Sequence, residues 1–194
     1  MKRNITKKMP MMGLLVLLIC SLWFISACSQ NDANAAKSKY VDDKAMNVIA
    51  AGFERRSDVI ESNANDDDPH STENIQEAIE AEIKNDKELK NARFKDSKMQ
   101  QDVITYLNLL DDQLKVTEDY SQSSSDYYEE WNKVYDKRSA QLKKLVDNYG
   151  LEVGEKYEDD FNDLIKNGKS VAEKTRYEAV SYTHLRAHET SLHL

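Results

Sequence analysis

The sequence predicts an all-α protein, an antiparallel bundle of four or five helices, on three observations. Only 5 of the 194 residues are glycine and 2 are proline, so few positions break a helix. Apolar residues recur at three- and four-residue spacing through most of the chain. No run of strand length alternates between apolar and polar residues, and the one Asn-Gly step, Asn167-Gly168, lies inside a helical pattern.

The first predicted helix begins near Tyr40. Its apolar stripe lies between charged residues and consists of Val41, Ala45, Ile49, Phe53 and Ile60. Pro69 and the Asn/Asp cluster of segment 62–70 predict a loop. Ser71 or Thr72 is the expected N-cap of the second helix. The stripe of that helix consists of Ile75, Ile79 and Ile83.

Asp96 or Ser97 is the expected N-cap of a third helix. Its predicted buried face consists of Met99, Val103, Leu107, Leu110 and Leu114. The fourth helix begins at Ser125 or Asp126 and has a heptad-like seam of Trp131, Tyr135, Arg138, Leu142, Leu145 and Tyr149. We expect the stem of Arg138 to pack in this seam while its guanidinium reaches an edge. Gly150 is expected to end the helix.

A fifth apolar stripe consists of Tyr157, Phe161, Leu164, Ile165 and Ala172. The Asn167-Gly168 step within this stripe predicts the end of a helix. Residues 39–179 are therefore expected to form the helical bundle domain.

The N-terminus has the pattern of a targeting segment. Basic residues at positions 2, 3, 7 and 8 precede an apolar stretch over residues 9–25, and Ser26, Ala27 and Cys28 follow. The alternative is an uncleaved transmembrane helix, because the apolar stretch approaches the length that spans a bilayer.

The four residues Ile25-Ser26-Ala27-Cys28 resemble the lipobox of bacterial lipoproteins. This resemblance implies that residues 1–27 are a cleaved signal peptide and that Cys28 carries a diacylglycerol that anchors the protein in the membrane. The protein is then expected on the extracytoplasmic face of the cell membrane. Cys20 leaves with the signal, so no thiol remains for a disulfide or for catalysis. Residues 29–38 are small and polar and predict a flexible tether.

Residues 39–179 resemble small helical-bundle lipoproteins of Gram-positive bacteria, several of which carry a β-sandwich module of the FxLYD type after the helices. This resemblance implies that segment 174–179 opens a strand.

The last fifteen residues do not share the resemblance to lipoproteins. Residues 180–190, VSYTHLRAHET, resemble the translation of a transposase-based sequencing adapter, so residues 180–194 are expected to be non-native. That resemblance is more specific than the zinc-like spacing of His184 and His188.

Residues 28–179 carry 22 basic and 34 acidic side chains, a net charge of −12 that argues against nucleic acid as a partner. Within them, one acidic loop is a candidate metal site formed by Asp66, Asp67, Asp68 and His70. Carboxylates and an imidazole can bind Ca²⁺ or a transition ion, although the loop lacks the EF-hand pattern. The alternative is a solvated run of charge before a helix N-terminus, where the helix dipole favours anions.

Tyr127, Tyr128 and Trp131 form a candidate ligand-binding cluster, because aromatic platforms bind sugars. The alternative interpretation assigns Trp131 and Tyr135 to the core and leaves Tyr127 or Tyr128 partly exposed.

The sequence contains no GxSxG, P-loop or HExxH motif, so no enzyme and no cofactor is predicted. The leading expectation is a lipid-anchored extracytoplasmic interaction module that binds an envelope protein or a cell-wall partner. The alternative is a ligand-binding lipoprotein that captures a cell-wall glycan or a divalent cation.

Overall fold

The computed structural model describes the backbone of residues 40–191 and the side chains of residues 40–176. Its five α-helices are α1 (Asp42–Ser62), α2 (Thr72–Asp86), α3 (Ser97–Asp119), α4 (Ser125–Tyr149) and α5 (Glu158–Ser191). Short 3-10 segments lie at Asn63–Asn65, Lys87–Asn91 and Glu155–Tyr157. The described backbone contains no strand, and the prediction of an all-α bundle with four or five helices is confirmed.

Several predictions concern residues that the structure does not describe. Cys28, the lipobox and the tether at 29–38 lie outside the described residues, as do the side chains of 180–194. The backbone of α5 continues to Ser191. The strand expected at 174–179 is therefore wrong, because that segment forms part of α5.

Consecutive helices run in opposite directions. Asn85, near the end of α2, donates a hydrogen bond to the carbonyl oxygen of Val48, near the start of α1, at 2.9 Å. At the far end of α4, the Tyr149 hydroxyl donates to Asp102, near the start of α3, at 2.8 Å. Asn167 of α5 donates to Asp136 of α4 at 3.0 Å. Short connections between neighbouring helices produce this antiparallel arrangement.

The helix ends follow local side-chain chemistry. The Ser71 hydroxyl accepts a hydrogen bond from the backbone N–H of Asn74 at the start of α2, and Asp96 caps α3 in the same way. Ser124 is the N-cap of α4. Gly150 ends α4 with φ of 67°, a left-handed conformation that glycine adopts without strain. The predicted caps at Ser71 and Asp96 and the predicted stop at Gly150 are confirmed.

The main core packs side chains of α1, α3, α4 and α5 together. Leu142 and Leu145 of the predicted seam are fully buried. The rings of Phe53 on α1 and Phe161 on α5 meet edge to face with centroids 5.2 Å apart, so the last helix packs against the first. Ile60, predicted in the α1 stripe, is 50% exposed because it lies in the last turn of the helix.

Gly168 does not end a helix as predicted; α5 continues through it. A Cβ at this position would lie 2.2 Å from the backbone carbonyl oxygen of Ser139 on α4. Glycine therefore permits the close approach of two helix backbones here.

Candidate functional site

The predicted aspartate loop lies between α1 and α2, and its carboxylates are exposed. The side-chain amide of Asn74 donates to Asp66 at 3.1 Å and to the backbone carbonyl of Asp68 at 3.0 Å. These bonds hold the loop against the first turn of α2. The alternative interpretation, a charged run before a helix N-terminus, accounts for this arrangement.

The four metal candidates do not form a coordination sphere. Among the described residues, no group of three or more His, Cys, Asp or Glu side chains is placed to hold a metal ion. Asp66, Asp67, Asp68 and His70 are all exposed to solvent along the loop. Consecutive residues of an exposed loop diverge, and a divalent cation needs its oxygen ligands to converge.

The three aromatic candidates differ in exposure. Tyr127 is only 3% exposed and belongs to a second, smaller core with Leu109, Val116 and Val134. Its ring stacks on the half-buried Trp131 with centroids 5.8 Å apart. Tyr128 contacts Tyr127 edge to face and is 57% exposed. Of these candidates, therefore, Tyr128 offers the largest free surface.

The fold brings the aspartate loop and the aromatic cluster to one end of the bundle. Asp68 and His70 of the loop and Tyr128 of the cluster line an open cleft of about 790 Å³, here called the acidic–aromatic cleft. Its lining consists of Asp68, His70, Thr72, Glu73, Glu118, Asp119, Tyr120, Ser121, Gln122, Ser123 and Tyr128. Gln122 joins its two sides: its side-chain amide donates to the carbonyl oxygen of His70 at 2.7 Å and accepts from the Thr72 hydroxyl at 3.3 Å.

The acidic–aromatic cleft has a one-sided charge. Four carboxylates line it, and the described lining contains no lysine or arginine. Glu118 and Asp119 lie in the last turn of α3, which contains no basic residue. A helix dipole disfavours anions at this end. Lys115, one turn earlier on α3, lies 3.9 Å from Asp119, and both side chains are more than half exposed. That pair contributes little to neutralisation.

A second polar cluster, which the sequence did not reveal, lies in the bundle interior. Glu82 of α2 is fully buried and accepts hydrogen bonds from Arg56 of α1 at 3.1 Å and from Arg138 of α4 at 2.9 and 3.0 Å. The Tyr106 hydroxyl of α3 also donates to Glu82. Arg56 donates to Gln113 at 3.0 Å as well. Four helices thus contribute to one buried ion-pair network.

The two arginines determine the ionisation of this network. Burial alone would raise the pKa of Glu82, but the charges of Arg138 and Arg56 outweigh it and hold the pKa below its ordinary value. The guanidinium of Arg138 also lies 6.0 Å from the ring centroid of Phe53 and 5.7 Å from that of Tyr106. The network is therefore charged, with aromatic rings around its cations.

Asp86 is a buried carboxyl group beside this network. Burial, and then the nearby charge of Glu82, raise the pKa of Asp86 to about 8. Asn85 donates to one of its oxygens at 3.1 Å, while the other has no partner within the described residues. A Cβ added at Gly52 would lie 2.3 Å from this carboxyl group. Asp86 is therefore protonated at neutral pH and packs against a glycine of α1.

The expected edge position of the Arg138 guanidinium is wrong. Arg138 is 2% exposed, because Glu82 provides a buried counter-ion. The available sequence signal was an arginine in an otherwise apolar seam, which calls for a buried anion on another helix. Glu82 gave no signal of its own, since it lies among other acidic residues of α2.

Comparisons of the chain with known protein families, with curated proteins and with solved structures find no match. Among the described residues, no helix is both long enough and apolar enough to cross a bilayer.

Proposed function

We propose that this protein is a lipid-anchored, extracytoplasmic interaction module without catalytic activity. The observation that carries the proposal is the lipobox-like segment Ile25–Cys28 after a basic and then an apolar stretch. Two acyl chains on Cys28 would give a lasting anchor, because each buried methylene contributes about 0.8 kcal/mol. The tether at 29–38 would let the bundle reach about 33–36 Å from the bilayer.

The position of the ionisable groups supports a role in binding. Glu82, Arg138 and Tyr106 of the buried network are at most 2% exposed, and they are paired with one another. A substrate cannot reach them without opening the bundle. The side chains that a partner can reach lie on the surface, where the acidic–aromatic cleft combines exposed tyrosines with carboxylates.

The anchor is tested by replacing Cys28. In cells fed a labelled fatty acid, Cys28→Ser should lose the label and either leave the membrane fraction or remain as unprocessed precursor. Cys20→Ser is the matched control, because this cysteine lies within the signal and should not be acylated. Cys28→Ser protein that is still processed and membrane-bound would contradict the lipid anchor. Unprocessed and membrane-bound wild-type protein would instead indicate an uncleaved transmembrane helix.

A further inference from the structure

We propose that the acidic–aromatic cleft binds a lysine- and arginine-rich segment of a partner protein. This inference rests on the proposed function and deepens it, because it names the binding surface and the chemistry of the partner. The cleft has exposed aromatic rings, separated carboxylates and acidic residues at a helix end that does not favour them.

The exposed tyrosines fit basic side chains. Tyr128 and Tyr120 are 57% and 37% exposed, and both line the cleft. A tyrosine face attracts ammonium and guanidinium groups through the quadrupole of the ring. The methylene stems of lysine and arginine can pack on the same ring while their charged ends reach the carboxylates.

The carboxylates of the cleft are spread out, which suits the several separate positive charges of a basic segment. Asp68 and Glu73 lie on one side of the cleft, and Glu118 and Asp119 come from the end of α3. No three acidic or histidine side chains among the described residues converge on one point. A single metal ion needs convergence, whereas a basic segment presents its charges along its length.

The end of α3 gives these carboxylates little local stabilisation, since the ion pair that Asp119 forms with Lys115 at 3.9 Å is exposed. Glu118 and Asp119 lie where the dipole of α3 disfavours anions. The end of α1 differs, because there Lys156 bridges Asp58 and Glu61 at 2.8 Å each. The cleft lining has no such cation of its own. A basic partner would supply the missing positive charge.

The net charge of the chain also favours a cationic partner over an anionic one. With a net charge of −8, the protein repels anionic lipid headgroups and nucleic acids. The same charge accelerates the approach of a cationic partner, and this effect weakens as salt screens the field.

The test uses the full chain in uncharged detergent micelles and a ten-residue oligolysine as the probe. Calorimetry gives the Kd. With Trp23, the other tryptophan of the chain, replaced by phenylalanine, the fluorescence of Trp131 reports on the site, since Trp131 stacks on Tyr127 and Tyr127 contacts Tyr128. Binding should weaken with added salt.

Paired variants locate the binding. Neutralising Glu118 and Asp119 together (E118Q/D119N) should raise the Kd about fivefold to tenfold, and Tyr128→Ala should raise it about threefold. The matched control, E152Q/E155Q, changes the charge by the same amount in the connection between α4 and α5, outside the lining of the cleft. It should change the Kd by less than about twofold. All of these side chains are exposed, so the variants should fold.

Three results would overturn the proposal: no saturable binding of oligolysine, equal effects of the cleft and control variants, or a saturable response to Ca²⁺ or to a cell-wall oligosaccharide without one to oligolysine. The last result would favour cation or glycan capture. None of these outcomes alters the Cys28 fractionation. Conversely, failure of the Cys28 test with the expected oligolysine pattern would remove the anchor and leave the cleft assignment intact.

Discussion

Neutralising Glu82 tests whether the buried network is held together by charge. Glu82→Gln keeps the size and shape of the side chain but leaves Arg56 and Arg138 as buried cations without a counter-ion. Removing one partner of a buried ion pair costs about 3–5 kcal/mol. A domain of this size is stable by only about 5–15 kcal/mol, so the loss is a large fraction of the total.

Urea unfolding followed by circular dichroism measures this loss. With a slope near 2 kcal/mol/M, the midpoint should fall by about 1.5–2.5 M. Glu129→Gln is the matched control, because Glu129 pairs with Lys133 at 2.8 Å while its side chain is 69% exposed. Exposed pairs contribute about 0–1 kcal/mol.

Equal shifts of the urea midpoint in Glu82→Gln and Glu129→Gln would mean that charge does not hold the network together. Packing is separated from charge by a triple replacement of Arg56, Glu82 and Arg138 with methionine. Since exchanging buried ions for apolar side chains is often neutral or stabilising, the triple variant should be more stable than Glu82→Gln. A triple variant that is less stable would mean that the hydrogen bonds of the network outweigh the cost of burying its charges.

Two further predictions concern Asp86 and Gly168. Unfolded aspartate loses its proton near pH 3.8, whereas native Asp86 keeps it until about pH 8, so stability should fall as pH rises through this window. Between pH 5 and 8 the loss of stability amounts to about 4 kcal/mol. Asp86→Asn should remove most of this pH dependence, which is measured as the difference between the urea midpoints at the two pH values. An unchanged pH dependence would mean that another group titrates. Replacing glycine by alanine at an exposed helical site stabilises a protein by about 1 kcal/mol. Gly168→Ala should instead destabilise the bundle by about 1–3 kcal/mol, because its Cβ would lie 2.2 Å from the carbonyl oxygen of Ser139. A rise in melting temperature would show that α4 and α5 separate easily.

Features set by nearby residues could be predicted from the sequence. The caps at Ser71 and Asp96 and the stop at Gly150 depend on hydrogen bonds and dihedral angles within a few residues. The burial of Leu142 and Leu145 follows from their spacing alone.

Features set by distant residues could not be predicted in this way. Gly168 resembles a helix end until the backbone of Ser139 is placed beside it. Arg138 is expected at an edge until Glu82, 56 positions away, is known to face it. The cleft combines part of the acidic loop with Tyr128, and this could not be predicted because Gln122 and His70 meet only after α2 and α3 have packed.

The buried network also fixes how far each helix can slide along its neighbours. Arg56, Glu82, Tyr106 and Arg138 come from four successive helices and meet at one carboxylate. Sliding any one of these helices by a single turn would carry its polar group about 5.4 Å away and leave it buried without a partner. Apolar stripes tolerate such a shift far better, since one leucine can replace another. The charges thus select a single register for α1 to α4.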